Sequence, residues 1–205
     1  CILYDNWGYP RIFNKSTVKY TIAANGSDDI TLNQIESSIG AAFDAWTDIS
    51  CTAINFTFNG FKNFNPNQDI FIRWLETNWD MTVQDAMGVT TNWKLNGAGQ
   101  GIKKVEIFFN GQDFEWTTEG ADDPFSNKVD VQAVATHEIG HAIGLDHSRE
   151  RFATMFFTAF PGQTEAQRNL DEDDKRAACF LYPAVPFTQG KVCDSCDQAS
   201  NCQTG

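Results

Sequence analysis

The chain has 205 residues, enough for one ordinary domain with a buried core and a small appendage. Its 27 acidic and 15 basic residues give a net charge of -12, which argues against nucleic acid as a partner, because phosphates need basic faces. No stretch approaches the apolar run that a membrane helix needs, and no signal peptide opens the chain, which is therefore read as processed or trimmed.

In chain order, Thr17 to Ala24 alternates, with Val18, Tyr20 and Ile22 on one face, and predicts a strand. Thr31-Leu32-Asn33-Gln34 is a capping box. Behind it Ile35, Ile39, Ala42, Phe43, Trp46 and Ile49 fall at helical spacing, predicting a helix from about Leu32 to Ile49. Ile54, Phe56 and Phe58 alternate in a second strand. Asp69 to Trp74 supplies a third, Ala86 to Thr91 a fourth and Lys103 to Phe109 a fifth. Gly97, Gly99 and Gly101 make a mobile link before the fifth. A loop holding Asp113, Glu115, Glu119, Asp122, Asp123 and Pro124 follows, and its acids make it a candidate calcium loop. It leads into a second helix, from about Val129 to Ile143. A third helix spans Asp171 to Tyr182, with Asp171 as N-cap and Asp173 and Asp174 favouring its positive end. Pro183 and Pro186 then break to a tail, so residues 1–182 are expected to form the domain and 183–205 the appendage. Strand, helix, strands, helix is an α/β order in which the first helix crosses between neighbouring parallel strands.

Residues 137–147 read His-Glu-Ile-Gly-His-Ala-Ile-Gly-Leu-Asp-His and contain every histidine of the chain. On a helix His137 and His141 sit one turn apart on one face, where two imidazoles can grip one metal ion beside Glu138. Gly144 can take the left-handed conformation that ends a helix, so that the chain doubles back and delivers His147. Three neutral nitrogen ligands leave a fourth position for water, which is the arrangement of a catalytic zinc. A bare His-Glu-x-x-His arises by chance in about one chain in a hundred of this length, and requiring Gly144 and His147 makes coincidence roughly a thousandfold rarer. A buried helix whose histidines merely satisfy core hydrogen bonds is the weaker reading of three histidines in so short a run.

The run His-Glu-x-x-His-x-x-Gly-x-x-His resembles the zinc signature of the metzincin metallopeptidases. Ser148 directly after the third histidine, within Gly-Leu-Asp-His-Ser, looks like the matrixin branch. Ala153-Thr154-Met155-Phe156 is similar to the matrixin methionine turn, with Met155 as the turn residue. The resemblance covers roughly residues 12 to 182. It implies a twisted five-stranded mixed sheet with one antiparallel edge strand and three helices, the active-site helix being followed by the methionine turn. It implies that Ala86, Met87, Gly88, Val89 and Thr90 form the edge strand and offer backbone groups to an extended peptide. Phe156 and Phe157, with Phe160 and Pro161, stand where matrixins build the wall of their main specificity pocket, although aromatic residues there could equally be core. The pair Asp173-Asp174 resembles acids that brace the methionine turn and the mature N-terminus, while plain complementation of the helix dipole explains them equally well. Matrixins often carry a structural zinc on three further histidines, and this chain has none to give.

Six cysteines fit disulfides in an oxidising compartment and allow 15 connectivities. The pairing adopted here joins Cys51 to Cys179 and leaves Cys1, Cys193, Cys196 and Cys202 to pair among themselves. Matrixin zymogens block zinc with a propeptide thiolate, and Cys1 could act so, but the usual Pro-Arg-Cys-Gly-x-Pro-Asp is absent. Asn14, Asn25 and Asn55 head glycosylation triplets. The expectation is a secreted, monomeric zinc endopeptidase. In it His137, His141 and His147 hold the ion, Glu138 is general base and then acid, and the substrate is an extended protein segment. The alternatives are another metzincin branch, such as an astacin or adamalysin relative, and a non-enzymatic zinc-binding module. The intact Glu138 argues against the module.

Overall fold

The computed structural model describes residues 2–6, 8–64, 68–81, 83–95, 97–99, 101–120, 123, 125–158 and 165–184. Expectations for Cys1, the tail cysteines, Phe160, Pro161, Asp122 and Pro124 therefore lie outside the described residues.

Five strands form the main sheet: β1 (Thr17–Ala23), β2 (Asn55–Lys62), β3 (Ile70–Leu75), β4 (Gly88–Leu95) and β5 (Ile102–Asn110), in the order β2-β1-β3-β5-β4. Four run parallel, and β4 alone is antiparallel, at the edge. Parallel neighbours cannot be joined by a tight turn, so β1 and β2 are linked through helix α1 (Leu32–Thr47). The capping box of Thr31 and Gln34 starts that helix. It buries Ile35, Ile39, Ala42, Phe43 and Trp46 against the sheet side of the core, where Tyr20 stacks on Phe43 at 3.9 Å between ring centroids. Burial on both faces explains why β3 is an almost uninterrupted apolar run, broken only by Arg73, rather than an alternating one.

Several boundaries differ from the sequence expectation, among them the end of β4, which runs on to Leu95 rather than stopping at Thr91. The edge strand begins at Gly88, so Ala86 and Met87 precede it. Asn110 fixes both from the end of β5: its side-chain amide donates to the Ala86 carbonyl at 3.2 Å and its backbone N–H to Met87 at 2.9 Å. Helix α2 begins at Val131, because Val129 and Asp130 belong to a short strand, β7 (Lys128–Asp130), paired with β6 (Glu115–Thr117). That two-stranded ribbon occupies the stretch expected to be an acidic loop. Strands of three residues leave no periodicity to detect in a sequence. Helix α1 ends at Thr47, although Ile49 beyond it is still buried. Helix α3 (Glu172–Leu181) has Asp171 as its N-cap in a second capping box closed by Asp174. A disulfide joins Cys51, just after α1, to Cys179 on α3.

Candidate metal centre

Helix α2 (Val131–Ala142) is held at three points. Asp130 caps it by accepting from Ala133 N–H at 2.8 Å, and this fully buried carboxylate is in turn paired with Arg168. Trp46 of α1 donates its indole N–H to the Thr136 carbonyl at 2.9 Å. Gly140 lies against Met155 and Trp46 so closely that a Cβ there would collide with the Met155 sulfur.

The helix stops in a Schellman turn. Gly144 N–H donates to His141 and Leu145 N–H to Gly140, each at 2.9 Å, with Gly144 at φ +105. A Cβ on Gly144 would run into the Arg11 carbonyl, so both the backbone sign and the space require glycine. The turn swings the chain back and brings His147 to His141, with Nε2 atoms 3.2 Å apart. One potential ligand atom from each of His137, His141 and His147 lies within 4.8 Å of the other two.

The other ring nitrogens are engaged. His137 Nδ1 is 2.7 Å from the Thr154 carbonyl and His141 Nδ1 is 2.9 Å from that of Leu145. A carbonyl only accepts, so each Nδ1 carries the proton and each Nε2 presents its lone pair. Burial, and then the neighbouring His141, pull the His137 imidazole down to about 3, and burial also lowers His147. The rings of His137 and His147 are thus held neutral, which is the state that binds a metal. Donor type, spacing and tautomer fit a tetrahedral divalent ion such as zinc. Among the described residues this is the one group of three or more His, Cys, Asp or Glu side chains close enough to hold an ion.

Glu138 is buried beside the triad, and its Oε2 lies 2.7 Å from the Thr90 hydroxyl of β4. Burial raises its carboxyl above the ordinary range, opposed by His141 and by the Thr90 hydrogen bond. Strand and helix meet so tightly here that a Cβ on Gly88 would sit 2.9 Å from Glu138 Cγ. A cavity of about 370 Å³ opens between them. It is lined by Val83 and Asp85 to Thr90, by Phe156, Phe157, Thr158 and Gln167, and by Val134, His137, Glu138, His141 and His147. All five expected edge residues, 86–90, are thus on the cavity. Phe156 is half-buried and Phe157 is 65% exposed, so neither is a core residue. The Thr90–Glu138 bond and the part of Gln167 were not anticipated, because nothing in a sequence marks a contact between residues 48 apart.

Met155 is 1% exposed beneath the site. Asp174 of α3 accepts from both Thr154 N–H (2.7 Å) and Met155 N–H (3.1 Å) and so holds the turn whose Thr154 carbonyl orients His137. Its partner in the acidic pair, Asp173, accepts from the Ser148 hydroxyl at 2.6 Å.

A family model described as matrixin matches residues 12–183. Over 191 residues the chain is 32% identical to karilysin of Tannerella forsythia, an overlap of 92% of this chain and 36% of that protein. It is 29% identical over 161 residues to metalloendoproteinase 2-MMP of Arabidopsis thaliana, covering 77% of this chain and 39% of the relative. With matrix metalloproteinase-18 of Xenopus laevis it shares 28% over 188 residues, 89% and 37% of the two chains. The chain thus spans less than two fifths of the length of these relatives.

Proposed function

This chain belongs to the matrixin family, and on that premise we propose that it is a secreted zinc endopeptidase that cuts extended segments of protein. The reading rests above all on one observation: three imidazoles, each offering a potential ligand atom, converge beside a buried carboxylate, at the edge of a sheet. His137, His141 and His147 hold the ion. Bound there, zinc supplies Lewis acidity, polarising a carbonyl oxygen and acidifying a water.

Glu138 takes the proton of the attacking water and passes it to the leaving amine. A carboxyl raised by burial suits both halves of that task better than one at the ordinary carboxylate value. Thr90 orients it from the edge strand. Strand β4 has its outer edge unpaired in the sheet, so its N–H and C=O groups can add an extended peptide as a further strand. The cavity beside Phe156 and Phe157 suits a large apolar side chain flanking the cut. The matrixin match removes the astacin and adamalysin alternatives. Among the described residues no helix is long and apolar enough to cross a membrane. The Cys51–Cys179 disulfide supports a secretory route. Calcium remains an expectation from the acidic stretch alone.

Incubation with casein or gelatin, with and without a zinc chelator, tests the activity. Glu138→Ala should lower turnover by about two orders of magnitude or more while the bound zinc is retained, because ligands and base are separate residues. Near-normal peptidase activity in that variant would remove Glu138 from the mechanism.

A further inference from the structure

We propose that Arg11 is a specificity-determining residue of this same site, selecting peptides with an acidic side chain about three residues from the scissile bond, on the side away from the cavity. The proposal rests on the endopeptidase reading and adds a substrate preference to it.

Strand β4 divides into two parts. Residues 88–90 line the cavity, and none of the strand beyond Thr90 does, among the described residues. Trp93 lies in that second part, three residues beyond the Thr90 that bonds Glu138. The pairing of β4 with β5 shifts register between Thr91 and Lys94. Such an irregularity re-aims side chains, and Trp93 packs against the same core cluster as the residues beneath the site. A peptide added along the edge would advance about 3.4 Å per residue, so the peptide position facing Trp93 is about three residues from the one at Glu138.

Over the Trp93 ring sits the Arg11 guanidinium, 5.5 Å from the centroid. Its backbone is fixed: Arg11 N–H donates to Leu3 at 2.9 Å, its carbonyl abuts Gly144 in the turn between His141 and His147, and the next carbonyl, of Ile12, accepts from Ile102 at 2.6 Å. Arg11 enters none of the ion pairs among the described residues, and its Nε is buried with no hydrogen-bond partner. A chain with 27 carboxylates and 15 basic side chains has thus left this guanidinium without an acidic partner beside Trp93 of the edge strand. A guanidinium with no acidic partner of its own can pair with a carboxylate that a docked peptide presents, in a charge-assisted hydrogen bond. The cation–π contact with Trp93 helps to hold the guanidinium in place.

The test uses synthetic peptides that scan Glu, Gln and Lys through the residues on both sides of the cut. In the full chain loaded with zinc, Glu should exceed Gln by about tenfold in kcat/KM at one position on the side away from the cavity. The ratio should fall to near one in Arg11→Gln, and in Arg11→Glu the preference should pass to Lys. Each ratio compares two peptides on one protein, so partial misfolding of a variant does not mimic the result. Absence of any Glu preference, or one that survives in Arg11→Gln, overturns the assignment. Binding of the same pairs to the Glu138→Ala protein decides Arg11 independently of turnover. A Glu preference in binding that needs Arg11, without chelator-sensitive cleavage by the parent chain, would sink the endopeptidase reading and leave the Arg11 site standing.

Discussion

At the scale of single residues the centre depends on keeping imidazoles neutral, and this has a consequence without metal. In the unfolded chain a histidine takes up a proton near 6.5, whereas His137 in the folded chain does so only at about 3. Between those values the unfolded state binds the extra proton, so stability rises with pH there and is lost as pH falls below about 6.5. Chelated protein should therefore lose urea resistance as pH falls from about 6.5 towards 3, and His137→Gln should flatten the decline. A gap between the two proteins that is independent of pH would contradict the neutral-ring account. These residues were legible because ligand chemistry is confined to eleven positions, 137–147, and helical geometry alone puts His137 and His141 on one face. Thr90 was legible only as an edge-strand residue, since its bond to Glu138 exists through tertiary packing alone.

Among the elements, α2 carries three of the residues at the site and is held by its Asp130 cap, by Trp46 and by close packing at Gly140. Gly140 is the contact that lets the helix approach the methionine turn, because any side chain there meets Met155 and Trp46. Gly140→Ala should destabilise the protein by about 1–3 kcal/mol despite the better helix propensity of alanine, as read from urea midpoints. A neutral or stabilising effect would mean that the methionine turn yields easily and does not brace His137. The helices were readable because their signals are local: Thr31 with Gln34, Asp171 with Asp174, and apolar residues at a 3.6 period. The beginning of β4 and the β6–β7 ribbon were not, because Asn110 and pairings across the chain determine them.

For the whole molecule, the notable feature is how far the metal centre is supported from α3. Asp174 holds Thr154 and Met155, Thr154 orients His137, and the Cys51–Cys179 disulfide ties α3 to the end of α1 across 128 residues. Closing a loop of that size constrains the unfolded chain, so Cys51→Ala with Cys179→Ala should cost about 2–5 kcal/mol, measured by denaturation of oxidised parent and variant. The same variant should release zinc faster, since α3 is no longer tethered. An unchanged unfolding midpoint would show that the bond adds nothing to the fold. The central claim, however, is that one divalent ion is gripped by His137, His141 and His147, and metal content tests it most directly. Folded protein dialysed at neutral pH should retain about one zinc per chain, and His147→Ala should lose it on the same dialysis. A correctly folded parent chain that retains no divalent ion under those conditions would contradict the account.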